Sequence, residues 1–221
     1  MRWYRIGDKL LPSVSSVLDL LHKPGLEEWY GRLGAQEAGR RRKEAMALGL
    51  AIHRRLEAYN KFGESVGVPP SYINWFQSNV VKPVLVEEVA YSLKYGYAGR
   101  VDLVAYLQNS RLALIDFKTV ARWGCHPKFL LQTGAYAMAL QESWGLNIAE
   151  RWILQIHRNT DELAPLVLDR GEEDFVAWLK LLEYFHWWYA KFGVSTKEPT
   201  EIVEVPLGKS QFTQEAQNDT S

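Results

Sequence analysis

Cysteine is almost absent from this 221-residue chain, where Cys125 is the only one. An internal disulfide framework is thereby excluded, and so is a four-cysteine iron–sulfur cluster. Net charge is missing as well. Lys and Arg number 26 and Asp and Glu number 26, so the chain has no highly basic coat, and any footprint for a polyanion must be a local patch. No uninterrupted apolar run approaches the length of a membrane span, and the opening Met1-Arg2-Trp3-Tyr4-Arg5 carries no apolar leader. A soluble cytoplasmic protein with no membrane partner is the expectation. There is no internal repeat.

The chain does have enough apolar residues, 47%, for a sizeable core in one domain of ordinary size. Trp3 to Ile6 reads as a short strand. Ser13 to Leu21 reads as a helix start, in which Ser13, Ser15 and Ser16 serve either as caps or as phosphate contacts. From Leu26 to Tyr59 the pattern is helical, interrupted by Gly31, Gly34 and Gly39. Within it, Arg40, Arg41, Arg42 and Lys43 form the densest basic run, which suits a solvated helix face or contacts to phosphates. Ser71 to Val80 reads as a helix with Trp75 and Phe76 in the core. Pro83 to Ser92 reads as a strand, Pro127 as the opening of a helix, and Ile153 to His157 as the last sheet strand. Glu172 to Phe192 has the apolar spacing of a long amphipathic helix. We expect one domain over residues 1–207 and a polar, disordered tail over residues 208–221.

The chemistry concentrates in Gly96-Tyr97-Ala98-Gly99-Arg100-Val101-Asp102-Leu103-Val104-Ala105 and, after a polar turn, Leu112-Ala113-Leu114-Ile115-Asp116-Phe117-Lys118-Thr119. Strand alternation puts Val101, Leu103 and Ala105 on one face of the first segment, and Arg100, Asp102 and Val104 on the other. In the second, Ala113, Ile115 and Phe117 share a face opposite Leu112, Leu114, Asp116 and Lys118. A hairpin closing around Asn109 would set Val101 against Phe117, Leu103 against Ile115 and Ala105 against Ala113. The same register opposes Asp102 to Asp116 and Arg100 to Lys118. Like charges in such positions destabilise a strand pair. Either the acids are solvated on an outer face, or a hard divalent cation lies between them.

These residues resemble the PD-(D/E)XK nucleases, in particular their RecB-like exonuclease branch. Gly-Tyr-Ala-Gly-Arg-Val-Asp followed by Leu-Ile-Asp-Phe-Lys-Thr is similar to the core of that group. Leu48 to Glu57 is similar to its histidine-bearing helical motif, Gln132-Thr133-Gly134-Ala135-Tyr136 to its Q-x-x-x-Y signature, and Leu11 to Leu18 to its Ser-rich opening. The resemblance covers about residues 8 to 160 and implies an α/β fold, a restriction-endonuclease-like mixed central β-sheet flanked by α-helices. It further implies a metal-dependent DNA exonuclease of a bacterial or phage-infected cell, acting on single strands or free ends in recombination, repair or replication, with a protein of those processes as a possible partner. A flap endonuclease or a non-catalytic accessory module of a recombination complex would keep the same fold.

The resemblance assigns His53, Asp102, Asp116 and the Phe117 main-chain carbonyl to one or two Mg²⁺ or Mn²⁺ ions, with Glu87 as a further acid and Glu88 as its competitor for that place. It makes Asp102, Asp116, Lys118, Gln132 and Tyr136 the catalytic set. Taken by themselves, His53 also suits a boundary position on a helix, and Gln132 and Tyr136 could satisfy each other at their i, i+4 spacing. Glu57 could orient His53 or pair with Arg54. Ser13, Ser15, Ser16, Arg40, Arg41, Arg42, Lys43, Arg100, Gln132 and Tyr136 are the candidates for contact with DNA.

Overall fold

The computed structural model describes residues 1–21, 24–169, 171–193 and 200–206. The expected tail over residues 208–221 and His22 lie outside the described residues. The strands are β1 (Arg2–Ile6), β2 (Lys9–Pro12), β3 (Val80–Ser92), β4 (Tyr97–Leu107), β5 (Leu112–Val120), β6 (Glu150–His157), β7 (Leu163–Leu168) and β8 (Glu201–Val205). The helices are α1 (Val14–Leu18), α2 (Pro24–Leu33), α3 (Ala35–Phe62), α4 (Pro70–Asn79), α5 (Pro127–Trp144) and α6 (Glu172–Trp188).

A five-stranded mixed sheet in the order β3-β4-β5-β6-β7 forms the centre, parallel between β5 and β6 and antiparallel elsewhere. Helices cover both of its faces, as expected for the α/β class. On one face Val104, Leu112 and Leu114 meet Ala135 and Tyr136 of α5 and Trp178 and Phe185 of α6. On the other Leu103, Ala105, Ala113, Ile115 and Phe117 meet Ile52 and Leu56 of α3 and Tyr72 and Trp75 of α4. A small second sheet, β2-β1-β8, stands beside β4. Ion pairs from Arg2 to Glu201 at 2.8 Å and from Arg5 to Glu204 at 3.0 Å accompany its parallel β1–β8 pairing. Among the described residues no helix is long and apolar enough to cross a membrane.

Several boundaries differ from the sequence reading. Helix α1 stops at Leu18 instead of Leu21. Gly39 does not interrupt α3, whereas Gly34, at φ 75° between α2 and α3, does, since only that glycine takes a left-handed backbone. Helix α6 ends at Trp188 and passes into a π-helical turn over Tyr189–Gly193. Strand β6 is not the last. β7 pairs along its whole length with β6, and Pro165 in its middle, which removes a ladder donor, is tolerated because β7 is an edge.

The β4–β5 hairpin has the expected register where it pairs, with Leu103 opposite Ile115 and Ala105 opposite Ala113. The ladder ends there. Val101 does not meet Phe117, Asp102 does not oppose Asp116, and Arg100 does not oppose Lys118, because the strands part beyond Leu103. The alternation of β4 also reverses at this point. Tyr97 and Val101 pack on the α5 side, while Leu103 and Ala105 pack on the α3 side, so Val101 does not share a face with Leu103. On β3, Glu87 lies between the paired Val86↔Leu103 and Glu88↔Val101 and takes φ 55°. A positive φ at a non-glycine residue is an uncommon, strained backbone of the kind stored at functional sites.

Candidate active site

The parting of β4 from β5 leaves backbone groups to be satisfied, and Asp102 takes one. Its Oδ2 accepts from the Phe117 N–H at 2.7 Å. In an extended strand a residue's carbonyl points the same way as its own N–H, so the Phe117 carbonyl also faces the gap. His53 reaches the gap from α3, which is seated on the sheet by Ile52 and Leu56. Its ring stands edge-on to Phe117, with centroids 6.0 Å apart, and its Nδ1 lies 3.6 Å from Asp102 Oδ1.

His53, Glu87 and Asp102 each offer a ligand atom, and these atoms all lie within 4.8 Å of one another. Between Glu87 and Glu88 the backbone decides: the left-handed turn at Glu87 places its carboxylate in this group, while Glu88 is exposed and pairs with Val101. One nitrogen and two carboxylates form a donor set that suits Mn²⁺ or Mg²⁺ completed by further oxygens. The electrostatics fit the same reading. Burial, followed by the neighbouring Asp102 charge, pushes the Glu87 carboxyl up to about 7. For Asp102 burial is the largest influence and acts upward, but contact with His53, the Lys118 charge and the Phe117 N–H outweigh it and hold the carboxyl low. For His53 burial acts downward, and the Asp102 carboxylate overcomes it to raise the imidazole.

Asp116 and Lys118 project to the α5 side of β5, as strand alternation predicts. Asp116 is 1% exposed, and burial, followed by the Asp102 charge, raises its carboxyl to about 6 against the opposing pull of Lys118. The Lys118 ammonium lies 2.5 Å from Asp116 Oδ2 as an ion contact, yet that oxygen has no partner in hydrogen-bond geometry. Lys118 Nζ donates to Gln132 Oε1 at 3.0 Å, and Gln132 Nε2 donates to Tyr136 Oη at 3.3 Å. The Phe129 ring lies under the same ammonium, 5.3 Å from centroid to Nζ. Gln132 and Tyr136 therefore satisfy each other and also hold the lysine. Gly99 is required by this arrangement, since a Cβ there would come within 2.5 Å of Tyr136 Cε1. Helix α5 is held from behind by Arg151, 1% exposed, which donates to Leu130 O and Thr133 Oγ1 at 3.0 Å and to Asp174 Oδ2 at 2.6 Å.

The gap opens into a cleft of about 390 Å³ lined by Arg2, Ser13, Ser15, His53, Arg54, Glu57, Glu87, Arg100, Asp102 and Tyr136, among others. Of the three serines, Ser13 caps α1 by accepting from Ser16 N at 3.0 Å. Ser16 bonds to the β1 backbone through Arg2 O at 3.2 Å and does not line the cleft. Ser15 faces it and is exposed. The basic run on α3 lies apart from the cleft. Arg40 pairs with Glu37 and Glu44, and Arg41 with Glu37, while Arg42 and Lys43 are exposed. Glu57 pairs with Lys61 at 2.8 Å, its i+4 neighbour on the same stripe, rather than with Arg54 or His53. A Cβ at Gly49 would meet only Thr119, at an ordinary 3.9 Å, so an alanine would fit beside His53. Arg2 and Arg54 escaped the sequence reading. Arg54 stands beside His53 inside the helical motif but suggests only a pair with Glu57, whereas Arg2 sits in no motif and reaches the cleft only because β1 folds against β4.

No family model matches the chain, and no curated protein matches it in sequence. Solved structures do resemble it. A protein from Eubacterium rectale described as an exonuclease superposes with a TM-score of 0.51 at 11% identity, over 85% of this chain and 83% of that one. An alkaline exonuclease from Laribacter hongkongensis gives 0.40 at 13% identity, over 84% and 94%. A phage-related exonuclease from Haemophilus somnus 129PT gives 0.41 at 12%, over 86% and 97%. With the first of these the chain shares its fold, a central mixed sheet flanked by helices. That agreement bears out the expected α/β fold, a mixed central sheet flanked by helices.

Proposed function

We propose that the protein is a metal-dependent DNA exonuclease, a single nuclease domain over residues 1–207 that hydrolyses phosphodiester bonds at DNA ends, most naturally those of single strands. The observation that carries this reading is the meeting, where two strands part, of the His53, Glu87 and Asp102 ligand atoms with a lysine held by Gln132. A binding module gains nothing from this arrangement, because clustered carboxylates repel DNA unless a cation is among them.

His53, Glu87 and Asp102 would hold Mg²⁺ or Mn²⁺, with Asp116 and the Phe117 carbonyl as further donors. Such an ion neutralises charge on the phosphate and brings the pKa of water toward neutrality. Lys118 positions the attacking water and stabilises the charge that builds on the phosphoryl oxygens. Gln132 and Tyr136 fix the lysine's direction. Arg100 and Arg54, with Ser15, receive the flanking phosphates at the rim of the cleft, and Arg42 and Lys43 offer a more distant contact.

The test is degradation of end-labelled linear and circular DNA, single- and double-stranded, with Mn²⁺, Mg²⁺ or EDTA, beside Lys118→Ala. Metal-dependent loss of linear DNA alone, abolished by the substitution, is the expected outcome. Cleavage of circles would make it an endonuclease, and binding without cleavage would make it an accessory module.

A further inference from the structure

Beyond Lys118, β5 runs to Val120 and into the loop over residues 121–126, which carries Trp123, 44% exposed. The exposed indole is not left without support. Its ring packs on that of His157, with centroids 5.5 Å apart and planes at 49°. His157 is itself fixed, with Nε2 3.1 Å from Ala121 O and Nδ1 2.9 Å from Thr160 Oγ1. The loop is pinned from both sides. Gly124 N donates to Gln155 Oε1 at 3.1 Å, and Arg158 N donates to Val120 O at 2.9 Å. Arg122 precedes Trp123 in the chain and Arg158 follows His157, and both are exposed.

The position relative to the site follows from the sheet. Val120 pairs with His157 two residues past Lys118↔Gln155, about 7 Å along the strand. Trp123 therefore lies at the same end of the sheet as Asp102 and Lys118, displaced toward β6, whereas Arg100 lies toward β3. A strand crossing this end of the sheet would run from Arg100 past Asp102 and Lys118 to Trp123.

We propose that Trp123, seated on His157, is a stacking platform for a base of the single strand engaged in the cleft, with Arg122 and Arg158 placed for its phosphates. The proposal rests on the nuclease reading above. Every base has a π-face, so such a platform would hold the strand without selecting its sequence.

The test measures equilibrium binding, by fluorescence anisotropy in EDTA, of a labelled single-stranded oligonucleotide and of an abasic strand of equal length. The full-length protein is compared with Trp123→Ala and Trp123→Phe. Wild type should prefer the base-bearing strand. Trp123→Ala should weaken that strand about tenfold and leave the abasic strand unchanged, and Trp123→Phe should restore most of the loss. Equal weakening of both strands, or no change in either, overturns the stacking role while leaving the nuclease reading intact. Failure of the wild-type protein to bind either strand and to cleave DNA in Mn²⁺ overturns both.

Discussion

Two stretches of α3 carry concentrated charge and use it differently. Around Arg40 to Lys43 the arginines lie on the solvent side, and Arg40 and Arg41 are answered along the same helix by Glu37 and Glu44. Three turns later a single histidine reaches two acids that belong to other elements, Glu87 of β3 and Asp102 of β4. The first stretch is conspicuous in the sequence, and its cations are paired along the helix or open to solvent. The second is inconspicuous and incomplete, because its acids converge in a buried place without enough cations. Ion pairs in water contribute little, whereas an imbalance of charge away from water has to be met by a ligand or by protonation. Density of charge is therefore a poorer guide to the site than lack of compensation.

The comparison is broken most directly by substitution at the incomplete end. Lys118→Ala and Asp102→Asn should each lower metal-dependent cleavage by about 10²–10³-fold with the fold retained by circular dichroism. Cleavage within a few-fold of wild type in either variant would remove the distinction between the two stretches. Metal addition comes next. Mn²⁺ at about a hundred times its Kd should stabilise the protein by about 2.7 kcal/mol, which for a chain of this size raises Tm by about 5–10 °C. Asp102→Asn should abolish the rise in a thermal scan.

Gly99→Ala should lower stability by about 1–3 kcal/mol and reduce cleavage together with it, since the new methyl group displaces Tyr136 and through Gln132 the lysine. Chemical denaturation beside the cleavage assay checks this. A smaller effect concerns pH in EDTA. The folded-state carboxyls of Glu87 and Asp116 titrate near 7 and near 6, above their ordinary values, so the folded protein binds more protons than the unfolded chain between those limits. Their contribution to stability is then full below about pH 4 and is lost as pH rises through 6 to 7. Denaturation midpoints at pH 5 and 8 should show that fall, and Glu87→Gln should flatten it. Least of all, Arg42→Ala with Lys43→Ala should leave cleavage by bound enzyme unchanged and reduce the salt slope of DNA binding by about 2. A large loss of cleavage instead would move the site toward the basic run.

Part of this was legible in the chain because it is local. Strand alternation put Asp116 and Lys118 on one face of β5, helical spacing put Gln132 over Tyr136, and the turn at Asn109 set the Leu103–Ile115 register. Asp102 was found as a residue but not as a position. Alternation assigned it to the face of Val104, and a hairpin drawn to its end opposed it to Asp116. The reversal at Asp102 and the left-handed Glu87 are irregularities shared between two strands, and no period in either strand announces them. Of the serines read either as caps or as phosphate contacts, Ser13 caps α1 and Ser16 bonds to the β1 backbone, because the start of α1 and the adjacent β1 needed partners.

The sequence by itself determined which residues could do the chemistry and which elements carry them, since side-chain type and local period are properties of neighbours along the chain. Only the tertiary structure decided which of them meet. The choice of Glu87 over Glu88, the approach of His53 to Asp102, and the presence of Arg2 in the cleft depend on contacts between residues tens of positions apart. Those contacts follow from how two apolar faces of one sheet are covered, and from where its strands can no longer pair.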